Sequence, residues 1–438
     1  MKYSISSLAS VILLLYPFLD YYGYGFVSIA FVFALIYIFY VVKKRGCLKL
    51  AFQLPMLLYI LYFVVARMYF ATSIREMIVP SILFVFIFWG ILNIDLSIHS
   101  FLKWYRRIAY VNIAFFFVQE CMYQLLGYRI VGILTFLPLT IGDADLDISG
   151  WEERTSLYAR SSAFFSEPAH FAQYLLPLLV IELFYVSDKK SRYRCLLYIV
   201  ALIASSSGNA LAGLAVVLLF YIVRLCKKLN AYVISIWAVV FAVMIPIGVS
   251  QILMTEYGEN ILERQEELDP EQSSVSSGFI RVFRGFYIWD EMSTLEKCWG
   301  LNSTNRIKGK IKKCEVSFTF KENDLYMNCF QSFIIQTGIV GTCLFTFFLI
   351  SLWRNNNIAG RCCIGIFLIL SLIAAIYFSV NNMVLLLISA YLMKKEAKGK
   401  ASLCYLTIPF NLNKGNNCSR GYLPSKHSFL RQNEQKRF

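Results

Sequence analysis

The chain has 438 residues, of which 58% are hydrophobic and only 16% charged, and its formal net charge is +15. An average soluble domain is about 45–50% apolar and about 25% charged. A soluble enzyme, a disordered chain and a nucleic-acid-binding protein are therefore excluded as main readings. Three histidines, His99, His170 and His427, leave no material for a His-rich metal site. The twelve cysteines form no CxxC pair.

A bilayer crossing needs about 20 apolar residues. Apolar runs of that order predict spans near 7–22, 25–42, 51–70, 77–95, 108–126 and 171–187. The first run has no small-residue cleavage site before Tyr21-Tyr22-Gly23, so it reads as a retained span. Residues 195–223 lie between two basic clusters, and one span cannot have both ends on the same side. The stretch Ser205-Ser206-Ser207-Gly208 divides them into a hairpin whose first limb is about half a span long. Further spans are predicted near 231–253, 327–351, 362–379 and 381–393.

The breaks between spans carry Lys43-Lys44-Arg45, Lys103/Arg106/Arg107, Lys189-Lys190-Ser191-Arg192, Arg224/Lys227/Lys228, Arg354/Arg361 and Lys394-Lys395. Positive charge marks cytoplasmic loops. That rule places both termini inside and the loops at about 127–168 and 254–325 outside. The second of these loops has 13 acidic and 10 basic residues, so it lacks the positive bias. The predicted fold is all-α: a polytopic integral membrane helical bundle of about 12 transmembrane helices with two large extracytoplasmic loops. The bundle covers 1–393, and a basic, poorly ordered cytoplasmic tail covers 394–438. There is no P-loop and no visible internal repeat.

Chemistry-bearing residues concentrate in the outer loops. Arg160, Glu167 and His170 fall within Arg160-Ser161-Ser162-Ala163-Phe164-Phe165-Ser166-Glu167-Pro168-Ala169-His170, at the mouth of a span. Pro168 suits the first helical turn, and the helix dipole favours an ionised Glu167 before it. An interfacial ion pair with an anchoring histidine accounts for the same residues. Arg281 and Arg284 are three apart, so a helix would place them on one face, and Gly300 follows sixteen residues after Arg284. Arginine forks suit a diphosphate, but a solvated basic face has the same pattern. Asp143-Ala144-Asp145-Leu146-Asp147 departs from a calcium loop at Ile148 and Arg154, and reads as a solvated acidic loop. Cys298 and Cys314 either pair or remain two thiols. Arg67, Glu120 and Glu182 fall in or at the ends of spans, where each could line a cavity, and snorkelling explains Arg67 equally well.

The run Phe165-Ser166-Glu167-Pro168-Ala169-His170-Phe171, preceded by Arg160, resembles the Wzy-type O-antigen and capsule repeat-unit polymerases, with Ala169 in the usual Ser place. The Ser205–Asn209 break, the Arg281/Arg284…Gly300 loop and the overall layout are also similar to that family. Asn328, followed after nine residues by Gly338-Ile339-Val340-Gly341-Thr342, resembles a motif of the related O-antigen ligases. Ligases carry a histidine before that asparagine, and this chain has Met327, which favours the polymerase.

The resemblance implies transfer of a growing glycan from undecaprenyl diphosphate to a hydroxyl of an incoming lipid-linked repeat unit, at the periplasmic face of the bacterial inner membrane. It implies Glu167 as the first candidate base and His170 as the second, with Arg160, Arg281 and Arg284 on the diphosphate. Pro168, Ser207, Asn209, Gly300 and Asn328 take supporting places. No cofactor, metal, nucleotide or nucleic acid is called for. The expected partners are membrane lipid, the lipid-linked oligosaccharides, a chain-length regulator and a flippase. The competing readings are an O-antigen ligase, a lipid-linked oligosaccharide flippase and a membrane scaffold.

Overall fold

The computed structural model describes residues 5–24, 27–45, 47–52, 54–70, 96–127, 130–134, 136–139, 161–186, 188–226, 277–314, 327–354, 356–374, 382–398 and 404–409. The expected spans near 77–95 and 231–253 lie outside the described residues, as do Arg160 and Asp143 to Asp147.

Among the described residues the chain is mostly helical, with thirteen helices and little sheet, so the all-α expectation holds. Helix α1 (Ile5–Leu19) leads into a short antiparallel ribbon, β1 (Gly23–Tyr24) with β2 (Val27–Ser28). Helix α2 (Ile29–Arg45), strand β3 (Cys47–Phe52), α3 (Leu54–Phe70) and α4 (Ile98–Leu126) follow. Next come α5 (Pro168–Phe184), α6 (Lys189–Ala204) and α7 (Gly208–Cys226). The second expected outer loop contains α8 (Ser277–Asp290), α9 (Thr294–Trp299) and α10 (Thr304–Ile311). Helices α11 (Cys329–Trp353), α12 (Ile358–Ile373) and α13 (Asn382–Lys398) precede strand β4 (Cys404–Pro409). Helices α7 and α11 are long and apolar enough to cross a membrane, and five shorter apolar helices accompany them.

Helix ends follow local chemistry. The Ser97 and Asp188 side chains accept from backbone amides three residues on and start α4 and α6, and Asn357 does the same for α12. Gly127, in the left-handed region at φ 65°, closes α4.

Two expectations are corrected here. The first limb of the 195–223 hairpin is a helix of 16 residues, because its basic cluster Lys189–Arg192 is helical behind the Asp188 cap. Residues 404–409 of the expected unstructured tail form β4, antiparallel to β3 with Cys47 opposite Pro409. Of the two readings left open for Cys298 and Cys314, the structure has two free thiols.

Helix α5 is the hub. It packs on α4, α6, α7, α12 and α13, and Phe171, Ala172 and Tyr174–Ile181 are buried. A helix apolar on every face is buried on every face, and only Gln173 and Glu182 interrupt the run Phe171–Phe184 with hydrogen-bonding groups other than Tyr174. Helix α1 packs on α2 and α4, and α3 packs on α11.

Glu182 is buried and ion-paired to Arg106 of α4 and, at 2.9 Å, to Arg194 of α6. The Ser191 hydroxyl donates to its carboxylate at 3.0 Å, and Arg194 also reaches Asp188 at 2.7 Å. A buried carboxylate persists only when paired and hydrogen-bonded in this way. The Arg224 guanidinium donates to the Leu183 carbonyl, the Phe220 ring meets Trp353, and Lys394 donates to the Ser351 carbonyl. These contacts gather the basic breaks of α4, α6, α7, α11 and α13 at one end of the bundle.

Candidate functional site

The opposite end of α5 holds the first group of expected site residues. Pro168 occupies the first turn and Glu167 the cap position, with extended backbone at φ −139° and ψ 151°. The Glu167 carbonyl accepts from His170 and Phe171 amides, so the backbone caps the helix and the side chain does not. The carboxylate is exposed and close enough to Tyr21 and His170 to act on them electrostatically.

His170 Nδ1 lies 2.8 Å from the Ser166 hydroxyl and 3.4 Å from the Tyr21 hydroxyl. Ser166 and Tyr21 are themselves 3.1 Å apart, and the Ser166 amide donates to the Tyr21 oxygen. Loss of solvent pushes the Tyr21 phenol up to about 12, and nearby Glu167 and Asp20 add to the rise against hydrogen bonds from Ser166. Tyr21 is therefore neutral near pH 7 and can donate. Two hydroxyls that both give and accept hold the imidazole orientation whichever ring nitrogen carries the proton.

The loop that brings Ser166 to His170 is fixed by packing. The Gln119 side chain accepts from the Ala163 amide at 2.8 Å and donates to its carbonyl at 3.2 Å, as a neighbouring strand would. Ala163 holds a left-handed φ of 55°, and a Cβ at Gly132 would collide with its carbonyl. Phe164 stacks on Phe115 with centroids 4.3 Å apart, and Phe171 stacks on Phe116 at 4.9 Å. Phe165 sits against Phe18 and Tyr174. The phenylalanines of the motif thus anchor the loop to α1, α4 and α5.

A second group assembles on α11. Arg281 and Arg284 lie one turn apart on helix α8, as the spacing predicts. Arg284 is 1% exposed, so it does not belong to a solvated basic face. Its neighbour Gly285 crosses α11 so closely that a Cβ would stand 2.6 Å from the Gln331 Cβ. Asn328 caps α11 by accepting from the Gln331 amide at 2.8 Å, and the Cys329 amide donates to Ala374 at the end of α12.

Gly300 ends α9 at φ 76°, and Gly338 breaks α11 at φ 64° and ψ −174°. The two glycines meet backbone to backbone, and the Leu301 and Asn302 amides donate to the Ile335 and Gln336 carbonyls at the break. The Tyr62 hydroxyl spans the joint, bonding the Trp299 carbonyl at 2.7 Å and also the Thr337 carbonyl. Arg67 is buried and donates to Gln336 Oε1 at 3.1 Å, which rules out snorkelling.

Glu167 and His170 meet Tyr21 and Ser166, whereas the contacts of Gly285, Gly300 and Asn328 run to α11. Ser207 and Asn209 are buried in the α6–α7 turn, where Ser206 takes a left-handed φ of 47°. Glu120 is half-buried on α4, and Glu182 serves the ion network at the far end of α5. Arg160 lies outside the described residues, and no group of three or more metal-ligating side chains occurs among them.

The sequence points to neither Tyr21 nor Gln119 as a site residue. Ser166 carried a usable signal, because four residues separate it from His170 across the start of a helix. No protein-family model matches the chain, and no curated protein matches it either.

Proposed function

We propose that this protein is a multi-pass membrane glycosyltransferase that polymerises undecaprenyl-diphosphate-linked oligosaccharide repeat units. Membrane insertion is supported by the two span-length apolar helices and by large exposed apolar side chains, among them Phe33, Ile36 and Phe39 on α2 and Leu61, Val65 and Met68 on α3. Exposed apolar surface of that extent marks contact with lipid or another protein. With the basic end cytoplasmic, the Glu167 end faces the periplasm, about 22 Å away along the fifteen residues from Glu167 to Glu182.

The observation that carries the reading is the Glu167 carboxylate. The helix does not need it as a cap, it is exposed, and it stands beside a histidine held by two hydroxyls. In the reaction an acceptor hydroxyl oxygen attacks the anomeric carbon of the donor glycan. The bond from that carbon to the diphosphate oxygen breaks, and its electron pair leaves with undecaprenyl diphosphate. The hydroxyl proton passes to Glu167, directly or through His170. The diphosphate gains charge as it leaves, which preorganised cations stabilise. Arg160, Arg281 and Arg284 fill that place. Arg284 is enclosed, so its part requires α8–α10 to lift from α11.

A strain lacking the gene, with and without complementation, tests the reading by gel analysis of its surface polysaccharide. Core bearing a single repeat unit, with the ladder restored by the wild type but not by Glu167→Gln, is the expected result. A full ladder from Glu167→Gln sinks the assignment of the base. The Asn328…Gly338 segment keeps a ligase in view, and bare core with polymer retained on the carrier would establish it. Bare core with only unpolymerised lipid-linked units at the cytoplasmic face would establish a flippase.

A further inference from the structure

A cleft of about 890 Å³ opens at the basic end of the bundle, between the start of α4 and the α5–α6 turn. Lys103, Arg106, Arg107 and Arg194 line it together with Asp188 and Tyr110. Arg106 is held by buried Glu182, and Arg194 by Glu182 and Asp188. Lys103 and Arg107 have no acidic partner among the described residues, and the Arg107 guanidinium lies 4.9 Å over the Trp104 ring.

Like charges four residues apart repel on a helix. Lys103 and Arg107 are such a pair, on exposed positions of one concave wall. An anion seated between them removes that repulsion. Three acidic groups stand near the cleft: Glu182 and Asp188 are engaged by Arg106 and Arg194, and Glu396 is hydrogen-bonded to Tyr185 at its edge, so the charge that answers Lys103 and Arg107 comes from a bound anion.

The surroundings indicate its kind. On α4 the cleft takes in Tyr110, which is 39% exposed, and the next residue, Val111, is 59% exposed. On α6, whose Tyr198 ring packs against Tyr110, Leu196 and Val200 are also exposed. Charge at the floor and apolar surface on the next turns suit an amphiphile better than a free ion. We infer that this cleft binds the phosphate of an anionic membrane phospholipid, with Lys103 and Arg107 as its charge partners. Basic pockets between membrane helices on the cytoplasmic side take such headgroups. The inference rests on the membrane part of the proposed function and is independent of glycosyl transfer.

The test is native mass spectrometry of the full-length protein in neutral detergent, with phosphatidylglycerol, phosphatidylcholine or inorganic phosphate added. Phosphatidylglycerol should be retained over phosphatidylcholine. The double variant Lys103→Gln/Arg107→Gln should lower that retention about thirtyfold, while Lys312→Gln/Lys313→Gln leaves it unchanged. Because the first variant can also disturb folding, retention by the wild type is titrated with salt, and it should fall as ionic strength rises. Equal retention of the two lipids, unchanged retention in Lys103→Gln/Arg107→Gln, or indifference to salt overturns the proposal. Displacement of phosphatidylglycerol by millimolar inorganic phosphate, which then binds alone, assigns the cleft to a free phosphate and also overturns it. Normal polysaccharide in the Lys103→Gln/Arg107→Gln strain leaves the lipid site standing, and loss of lipid binding leaves the polymerase reading standing.

Discussion

Gly338 and Gly300 are packed backbone against backbone, so the break in α11 and the end of α9 form a single joint. Each holds a φ that side chains avoid, 64° and 76°, and a Cβ on either would strike the other strand of the joint. The prediction is that Gly338→Ala lowers stability by more than about 1 kcal/mol from the left-handed backbone alone. The collision adds to that, and Gly300→Ala acts in the same direction. Thermal unfolding in detergent measures it. A control substitution at Gly309, where a Cβ meets nothing, should be nearly silent.

The hydroxyl pair on His170 separates positioning from proton transfer. Tyr21→Phe removes one hydroxyl near Nδ1 and Ser166→Ala removes the nearer one. Each is expected to slow polymer formation by roughly ten- to a hundredfold, less than the 10²–10⁴ expected for losing a general base. Protein levels and melting temperature should stay near wild type. In vitro turnover of a lipid-linked repeat unit, compared with Glu167→Gln, gives the ranking. A Tyr21→Phe enzyme as slow as Glu167→Gln would make the phenol itself part of the chemistry.

Glu182 is the balancing charge for two arginines. Glu182→Ala leaves Arg106 and Arg194 facing each other across a buried site. Breaking a buried pair typically costs about 3–5 kcal/mol. Arg106 and Arg194 both border the open cleft, so the lower part of that range is expected here. The readout is chemical unfolding or the yield of monodisperse protein. Restoring stability with Glu182→Ala/Arg106→Met would show that stranded charge, not lost packing, is the cause.

Acid should weaken the α9–α10 segment. Partial burial raises the Glu296 carboxyl, but donation from Lys310 and Ser293 outweighs it and holds the group below its ordinary range. Lys310 lies 2.8 Å away and Ser293 completes a capping box. A carboxyl depressed in the folded state stabilises above the unfolded value and loses that contribution as pH falls through the folded one. The melting difference between wild type and Glu296→Gln should therefore be largest near neutral pH and vanish in strong acid. A difference that grows as pH falls would contradict the assignment.

Much of the helical layout was legible in the sequence, because apolar length and basic breaks are local properties. The expected span near 327–351 is α11, and that near 171–187 is α5, displaced by three residues because Pro168 starts the helix early. The Ser205 break separates α6 from α7 as expected. The limb before it was read too short, since a hydropathy pattern ends at Lys189 to Arg192 whereas a capped helix includes them. Helices α8 to α10 were legible only at Arg281 and Arg284, because α9 and α10 have only 6 and 8 residues and α8, at 14, is shorter than a span.

Composition and period alone determined an all-α chain, the order of its apolar segments, and Glu167, Pro168 and His170 at the head of one of them. Those facts follow from free energies that each segment carries by itself. Only the tertiary structure decided that Tyr21, 145 residues before Ser166, completes the histidine's surroundings. It likewise decided that Arg106 and Arg194 converge on Glu182, and that Gly300 docks at Gly338. Such contacts depend on how distant helices pack, and short-range sequence periodicity holds no record of which faces meet.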